Sequence, residues 1–508
     1  MYWSKIATTE KEFDQIAQLN YETFVEEIPQ HGENTTRRLI DKFHAENVYL
    51  VVYKNTELVG MVAFRDHRPF SIDQKIGEVE QHLDARLCES LCELRLLAVK
   101  KEHRNGRVFS KLATAIYRHF YDKGYTACVI SGTVREEKMY TQMGFKQFAP
   151  PVGTKEALYL PMVLTREASH VFRERLREQN NIFYPGPVSI ETPFLHSTLS
   201  HRSEKFQQDL TWMKDQLCQL AGANGITPLV GTGTLANDAM LGQLKSEFKT
   251  EPGLLLCNGE FGARLIKQAQ QWGLQFDTLN FGFGHVFRAD EIEQKLKEGN
   301  YHYIVFVHGE TSNSTLNPLE AIVLLGEKYN VKVCADCISS FGALPFSMAG
   351  LHYATAVSGK ALGTVAGLSF VFWQEAPTES QAPMYMNLSH YYDKQIPYTL
   401  PHTFVQAVNN ALTAYPERFT LLQKRMELVR HSALKEMLVG ETYPMIATIQ
   451  HKKIAEIVEA CELNGYLLHG ASGYLKERSL AQISTIQPNF EKDFQKVNRL
   501  IGYLLEVV

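Results

Sequence analysis

No apolar run in this chain is long enough to span a bilayer, so no segment reads as a membrane-spanning helix. The first residues, Met1-Tyr2-Trp3-Ser4-Lys5-Ile6, lack the basic patch and apolar stretch of a secretory signal, and the expected location is the cytoplasm. Charge of one sign is also missing: 52 Lys and Arg against 56 Asp and Glu leave a net −4. Such a balance gives no reason to expect nucleic acid, and any anion site must be made locally by loops and helix ends. Cysteine is sparse. Its eight copies are dispersed, mostly inside apolar runs, and do not take the spacings of a disulfide framework or zinc site. Cys334 and Cys337 form a CxxC, but no second pair or nearby His cluster completes a ligand set, and no metal is expected. Long internal repeats and low-complexity tracts are absent.

What is present is a 508-residue chain, 44% hydrophobic and 21% charged, the balance of a soluble globular protein. Its length suggests roughly two to four domains. Residues 1–165 read as a mixed α/β unit: a hairpin of Val48 to Tyr53 and Leu58 to Phe64 turning near Asn55, a strand Leu91 to Val99, a helix from about Val108 to Lys123, and a strand from Ala127 to Ile130. Residues 166–181 read as a charged helical linker. From 182 to about 400 strands and helices alternate, as in a mainly parallel sheet covered by helices. Strand candidates there are Leu254 to Cys257, Tyr303 to Val307, Val331 to Ala335 and Leu368 to Phe372. Residues 401–508 read as helical, with a short α+β tail beginning near Thr442.

Two charged endings stand out in the second half. The run Ala354-Thr355-Ala356-Val357-Ser358-Gly359 ends on Lys360, and Val331-Lys332-Val333-Cys334-Ala335 ends on Asp336. A buried strand seldom ends on an unpartnered charge, and opposite charges at two such ends suggest a cofactor that both touch. Pyridoxal phosphate fits. A lysine amine holds the cofactor aldehyde as a Schiff base and moves the substrate proton, while an aspartate against the pyridine nitrogen keeps it protonated. The loop Val230-Gly231-Thr232-Gly233-Thr234, opening onto a helix, offers backbone N–H groups, hydroxyls and a helix dipole to a phosphate. Phe261, in Asn258-Gly259-Glu260-Phe261-Gly262-Ala263-Arg264, is a candidate aromatic face for the ring, with ordinary core as the alternative.

These residues, with Pro185-Gly186-Pro187, Ser200-His201-Arg202-Ser203, Val307-His308-Gly309-Glu310-Thr311-Ser312, Ser339-Ser340-Phe341-Gly342 and Tyr398-Thr399-Leu400-Pro401, resemble class V, fold-type-I aminotransferases. The resemblance is greatest to 2-aminoethylphosphonate and alanine-glyoxylate aminotransferases, and it covers residues 182 to 508. It implies Lys360 as the Schiff-base lysine, Asp336 at the pyridine nitrogen, Phe261 on the ring, and Thr232, Gly233 and Thr234 at the phosphate. It also implies Thr311 near the ring hydroxyl and Thr399 at the phosphate of a neighbouring subunit, hence a homodimer.

The chain departs from that family at two places. Gly359 stands where Gln or Asn is common. Gln482, in Ala481-Gln482-Ile483-Ser484, stands where an arginine grips the substrate carboxylate; a neutral amide there is expected to weaken or re-direct recognition, with Arg478 either a substitute or a solvated surface residue. Cysteine desulfurases share the fold and need a mobile cysteine, but Cys461 lies in Ile454-Ala455-Glu456-Ile457-Val458-Glu459-Ala460-Cys461, an amphipathic helix in which core packing accounts for it.

In the first half, Leu94 to Arg107 followed by a helix, and Met139-Tyr140-Thr141-Gln142-Met143-Gly144-Phe145, resemble the central and C-terminal motifs of GCN5-related N-acetyltransferases (GNAT). The resemblance covers roughly residues 1 to 163. It implies an acetyl-CoA or other acyl-donor site with Arg104 and Gly106 in the pyrophosphate turn, Tyr140 protonating the leaving thiolate, and Glu93 either an assisting base or a salt-bridged strand residue. The usual Arg/Gln-x-x-Gly-x-Gly/Ala pattern falls on His103, Gly106 and Val108, and the β-branched Val108 is expected to obstruct the pyrophosphate. Some acyltransferases of this fold draw on an acyl-carrier protein, and Tyr21 to Glu27 faintly resembles their N-terminal region.

The expected protein is a bifunctional transaminase and N-acyltransferase acting on a small primary amine or amino acid, with a keto acid or aldehyde as amino acceptor. The alternatives are a non-catalytic first domain used for binding or dimerisation, and a lyase or decarboxylase reaction at the pyridoxal phosphate site.

Overall fold

A computed structural model describes residues 1–28, 30–154, 158–189, 199–394, 396–415 and 417–507. The chain divides into two compact units. The first comprises Met1–Asn181, Ala455–Leu467 and Lys496–Val508, and the second comprises Ile182–Ile454 and Leu468–Gln495.

The first unit is built on one sheet. In spatial order its strands are Tyr2–Ile6, Val48–Lys54, Glu57–Arg65, Leu91–Val99, Ala127–Thr133, Leu158–Thr165 and Lys146–Gln147, with Val152–Gly153 also on Leu158–Thr165. The hairpin expected around Asn55 is present, with Asn55 at φ 58°. Leu91–Val99 and Ala127–Thr133 run parallel, and their ladder ends at Leu94 and Ile130. Just beyond, Leu96 takes φ 55° and the register with Glu57–Arg65 shifts, a bulge at the point where the two parallel strands part. Helix Arg107–Asp122 lays Val108, Leu112, Ala115, Ile116 and Phe120 on this sheet, an apolar stripe at helical spacing. The stretch read as a linker carries helix His170–Glu178, whose Phe172 ring stacks on Tyr117 at 4.7 Å.

Residues far along the chain complete this unit. Leu463 joins its apolar core. Asn464 clasps the edge strand: Ser4 N–H donates to Asn464 Oδ1 at 3.1 Å, and Asn464 Nδ2 donates to the Ser4 carbonyl at 2.7 Å.

The second unit contains a seven-stranded sheet in the order Gly225–Val230, Leu368–Trp373, Leu351–Val357, Lys332–Asp336, Tyr303–Val307, Gly253–Cys257 and Phe276–Asn280. Leu368–Trp373 runs against both neighbours, and the remaining pairs are parallel. Alternate residues feed two apolar layers. Leu254, Leu256, Ile304, Phe306, Val333 and Ala335 pack on one face, and Leu255, Tyr303, Val305, Cys334 and Tyr353 on the other. Burial on both faces explains why these strands read as continuous apolar runs.

Two strands escaped the sequence reading for physical reasons. Phe276–Asn280 is an edge strand, largely solvent-facing, so it has no apolar run. Gly225–Val230 carries Pro228, which suits an edge position. A smaller antiparallel sheet of Leu438–Tyr443, Ile446–Gln450 and Leu480–Ser484 completes the unit.

Candidate active site

Asp336 ends strand Lys332–Asp336, and Lys360 lies in the turn after its parallel neighbour Leu351–Val357. Both therefore sit beyond the carboxyl ends of adjacent strands, where open α/β sheets bind ligands. The Ser358 hydroxyl ties down the lysine turn, donating to the Val365 carbonyl at 2.6 Å and accepting from Leu368 N–H at 3.2 Å. Gly359 is required by close approach: a Cβ there would lie 2.7 Å from Ala366 Cα. A larger side chain has no room in this turn.

Asp336 is buried and held on both oxygens. Oδ2 accepts from Asn237 Nδ2 at 2.7 Å, and Oδ1 accepts from Ile338 N–H at 2.9 Å. Thr355 in turn donates to Asn237 Oδ1 at 2.7 Å. Burial pushes the Asp336 carboxyl above its ordinary value, opposed by Asn237, Ile338 N–H, and the Lys360 and Arg264 cations. Removal from water lowers the Lys360 pKa, while Asp336 and Glu310 act to raise it and Arg264 to lower it. A lysine shifted this way keeps more of its amine neutral and nucleophilic.

Phe261 faces this lysine, with Lys360 Nζ 5.4 Å from its ring centroid. It is set at the start of helix Glu260–Gln271 by a residue that the sequence reading gave no role. Glu310, fully buried, accepts from the N–H groups of Phe261 at 3.3 Å, Gly262 at 3.0 Å and Ser312 at 3.1 Å, and from the Ser312 hydroxyl. Burial raises its pKa on balance against those donors. A carboxylate at a helix N-terminus is favoured by the helix dipole.

Thr232 is the N-cap of helix Gly233–Phe248, and its hydroxyl makes no capping bond. Thr232 and Thr234 are both exposed, leaving two hydroxyls and a helix N-terminus open for an anion. Asn237, one turn further along, is the residue that grips Asp336, so one helix serves both ends of the site. Thr311 is buried, and its carbonyl accepts from Gln482 Nε2 at 2.6 Å. Gln482 Nε2 also donates to Thr448 Oγ1 at 3.0 Å, while its buried Oε1 has no partner among the described residues. Arg478 lies over the Phe283 ring at 4.2 Å and donates to the Tyr474 carbonyl at 3.0 Å. Thr399 is exposed and takes no part in the hydrogen bonds that knit these residues together.

In the first unit, Gly106 takes a left-handed φ of 79° as N-cap of helix Arg107–Asp122. Val108 does not obstruct this turn as expected: its side chain is fully buried, with Cγ1 2.6 Å from where a Cβ on Gly60 would lie. The helix turns the valine into the core, and glycine at position 60 makes the space. Arg104 is engaged by Glu27 in a two-pronged pair, Arg104 Nη2 to Oε2 being 2.6 Å. Glu93 is buried and saturated, accepting from Ser71 N–H at 2.8 Å, the Ser71 hydroxyl at 2.6 Å and Ile72 N–H at 2.9 Å. Tyr140 packs over Gly132, and burial pushes its phenol up to about 12.

Residues 193–399 match the class-V aminotransferase family. Residues 19–114 match an acetyltransferase (GNAT) domain. Among curated relatives, the 2-aminoethylphosphonate–pyruvate transaminase of Pseudomonas aeruginosa is 32% identical over 232 residues, 43% of this chain and 61% of the relative. That of Klebsiella pneumoniae is 35% identical over 172 residues, 32% of this chain and 46% of the relative. The chain thus spans about three fifths or less of the length of these two relatives. Among solved structures, an aspartate aminotransferase from Thermus thermophilus superposes with TM-score 0.58 at 22% identity, over 64% of this chain and 99% of that one. An alanine–glyoxylate aminotransferase from Nostoc sp. gives 0.56 at 23% identity, over 65% and 95%. The second unit has the fold-type-I aminotransferase fold, preceded by a GNAT-like domain.

In this aminotransferase fold, Lys360, Asp336 and Phe261 come together, as do Thr311 and Gln482. The helix of Thr232, Gly233 and Thr234 reaches the first group through Asn237. Glu310 lay inside a motif already quoted and Asn237 three residues beyond one, yet their partners are distant in sequence. Cys461 is buried in helix Ile454–Leu463, with its thiol pushed up by burial, as core packing requires. Cys334 and Cys337 are buried free thiols. The one cluster of potential metal ligands among the described residues, Glu57, Glu102 and His103, includes neither.

Proposed function

We propose that this chain is a pyridoxal phosphate-dependent transaminase of a small primary amine or amino acid, joined to an N-acyltransferase. The observation that carries the first part is the facing of the Lys360 amine and the Phe261 ring beside a buried Asp336 fastened by Asn237. The residues fit the cofactor: an amine for its aldehyde, a carboxylate for its ring nitrogen, an aromatic face, and exposed threonines at a helix N-terminus for its phosphate. When bound, pyridoxal phosphate supplies an electron sink for the bond broken at the substrate carbon. Lys360 Nζ would hold the cofactor aldehyde and would take and return a proton at its own nitrogen. Asp336 would offer its carboxylate to the ring nitrogen and Phe261 its aromatic face to the ring, and Glu310 holds the Phe261 backbone N–H. Thr399 is assigned to the phosphate of a second copy, making the working form a homodimer.

Spectroscopy tests the reading. Purified protein is expected to carry the visible absorbance of bound pyridoxal phosphate, and to lose it with formation of pyridoxamine phosphate on adding an amino donor such as 2-aminoethylphosphonate or alanine. Retention of the same absorbance by Lys360→Ala would sink the assignment. Release of ammonia or carbon dioxide without pyridoxamine phosphate would replace transamination by a lyase or decarboxylase reaction, which the neutral Gln482 leaves open.

For the first unit, the parting of the parallel strands at Leu94 and Ile130 and the protonated Tyr140 support acyl transfer from coenzyme A or an acyl-carrier protein. The Arg104–Glu27 pair favours the second reading, a binding module without catalysis. Tyr140→Phe separates them: a large loss of acyl transfer with acyl-donor binding intact supports catalysis, and absence of acyl-donor binding in the parent supports the module.

A further inference from the structure

The expected substrate-gripping arginine is replaced by Gln482, and the structure shows why that side chain does not inherit the task. Its Nε2 is spent on the Thr311 carbonyl and the Thr448 hydroxyl, which leaves a buried, unpartnered acceptor oxygen. An acceptor oxygen repels an anion. Arg478 is engaged with the Tyr474 carbonyl and the Phe283 ring.

Another cation stands beside the lysine. Arg264 lies one turn after Phe261 on helix Glu260–Gln271, with its guanidinium carbon 4.8 Å from the centroid of the ring that Lys360 Nζ approaches at 5.4 Å. It is exposed, and among the described residues no carboxylate forms an ion pair with it. Its charge is felt by Lys360, Asp336 and Tyr474 alike. An arginine left open beside the lysine keeps its planar fork of donors for a ligand.

We propose that Arg264 is the specificity-determining cation that receives the anionic group of the amino substrate, a carboxylate or phosphonate. This rests on the transaminase reading. Gln482 Oε1, an acceptor beside Thr311, disfavours an anion on that side of the site and so reinforces the direction.

The test is calorimetric titration of the full-length protein with two unreactive anions, ethylphosphonate and propionate, alongside its cofactor absorbance. Arg264→Gln is expected to weaken anion binding tenfold or more, and Arg264→Lys to recover part of it, because a point charge remains without the fork. Dependence on Arg264 for ethylphosphonate alone identifies a phosphonate substrate, and for propionate alone a carboxylate. The proposal is overturned if Arg264→Gln binds both anions as the parent does, if Arg478→Gln causes the loss instead, or if the parent binds neither. These outcomes are separate from failure of the transaminase reading, which shows as cofactor absorbance that is absent in the parent or indifferent to Lys360→Ala. Arg264 is exposed, so thermal melting of Arg264→Gln is expected to match the parent and to exclude unfolding as the cause.

Discussion

Asn237 donates its side-chain amide to Oδ2 of Asp336 at 2.7 Å, from the helix whose first residues form the glycine-threonine turn. A movement of that helix is thereby coupled to the carboxylate assigned to the cofactor ring.

Removing this bond leaves a buried carboxylate short of one donor. A hydrogen bond to a charged group contributes roughly 1.5–3 kcal/mol, or about tenfold to a hundredfold in an equilibrium. Asn237→Ala is expected to weaken pyridoxal phosphate retention by that factor, measured by equilibrium dialysis. Thr355→Val, which only orients Asn237, is expected to cost less. Equal retention in parent and Asn237→Ala would remove Asn237 from the site.

Gly359 carries the turn before Lys360, and any side chain there meets the Ala366 backbone. Overpacking of this kind costs roughly 1–3 kcal/mol. Gly359→Ala is expected to lower the melting temperature and slow reconstitution with pyridoxal phosphate, and Gly359→Gln to do both more strongly. A glutamine variant that melts and reconstitutes like the parent would show that the turn relaxes freely.

Arg104 is held by Glu27 in the turn assigned to the acyl donor. Exposed pairs of this kind are worth about 0.2–1 kcal/mol, so releasing the arginine gives an effect of a few-fold. Glu27→Gln is expected to tighten coenzyme A binding by that amount in calorimetry. Weaker binding in this variant would mean that Glu27 orders the turn rather than competing for it.

His308 in the second unit and His119 in the first are buried, and burial lowers each pKa from 6.5 to about 4. Between those values the unfolded chain binds protons that the folded chain refuses, so stability falls as pH falls from about 6.5 to about 4. Urea midpoints are expected to be lower at about pH 5 than at about pH 7.5. His308→Gln and His119→Gln are expected to flatten that slope, and a slope unchanged in both would contradict the assignment.

Lys360, Asp336 and the Thr232 to Thr234 turn were legible because each breaks a local pattern: a charge closing an apolar run, or a glycine-rich turn opening a helix. Neighbours along the chain suffice to expose such breaks. The pattern also located most strands of the second sheet, since burial on both faces removes polar residues from a whole segment.

Val108 shows where that reading stops. Sequence marks it as β-branched beside a phosphate turn, but only the docking of its helix on Gly60 decides that the side chain points into the core. Asn237, Glu310 and Gln482 have the same character: their partners lie 99, 48 and 171 residues away. Asn464 lies 460 residues from the strand it clasps.

By itself, then, the sequence determined most of the elements and the residues able to do chemistry, because periodicity and side-chain type are properties of short segments. The tertiary structure alone decided which donors saturate Asp336 and Glu310, that Gln482 is spent on the protein, and that Arg264 is left open. Those outcomes depend on which distant backbone and side-chain atoms packing brings within hydrogen-bonding range, and no local pattern encodes that distance.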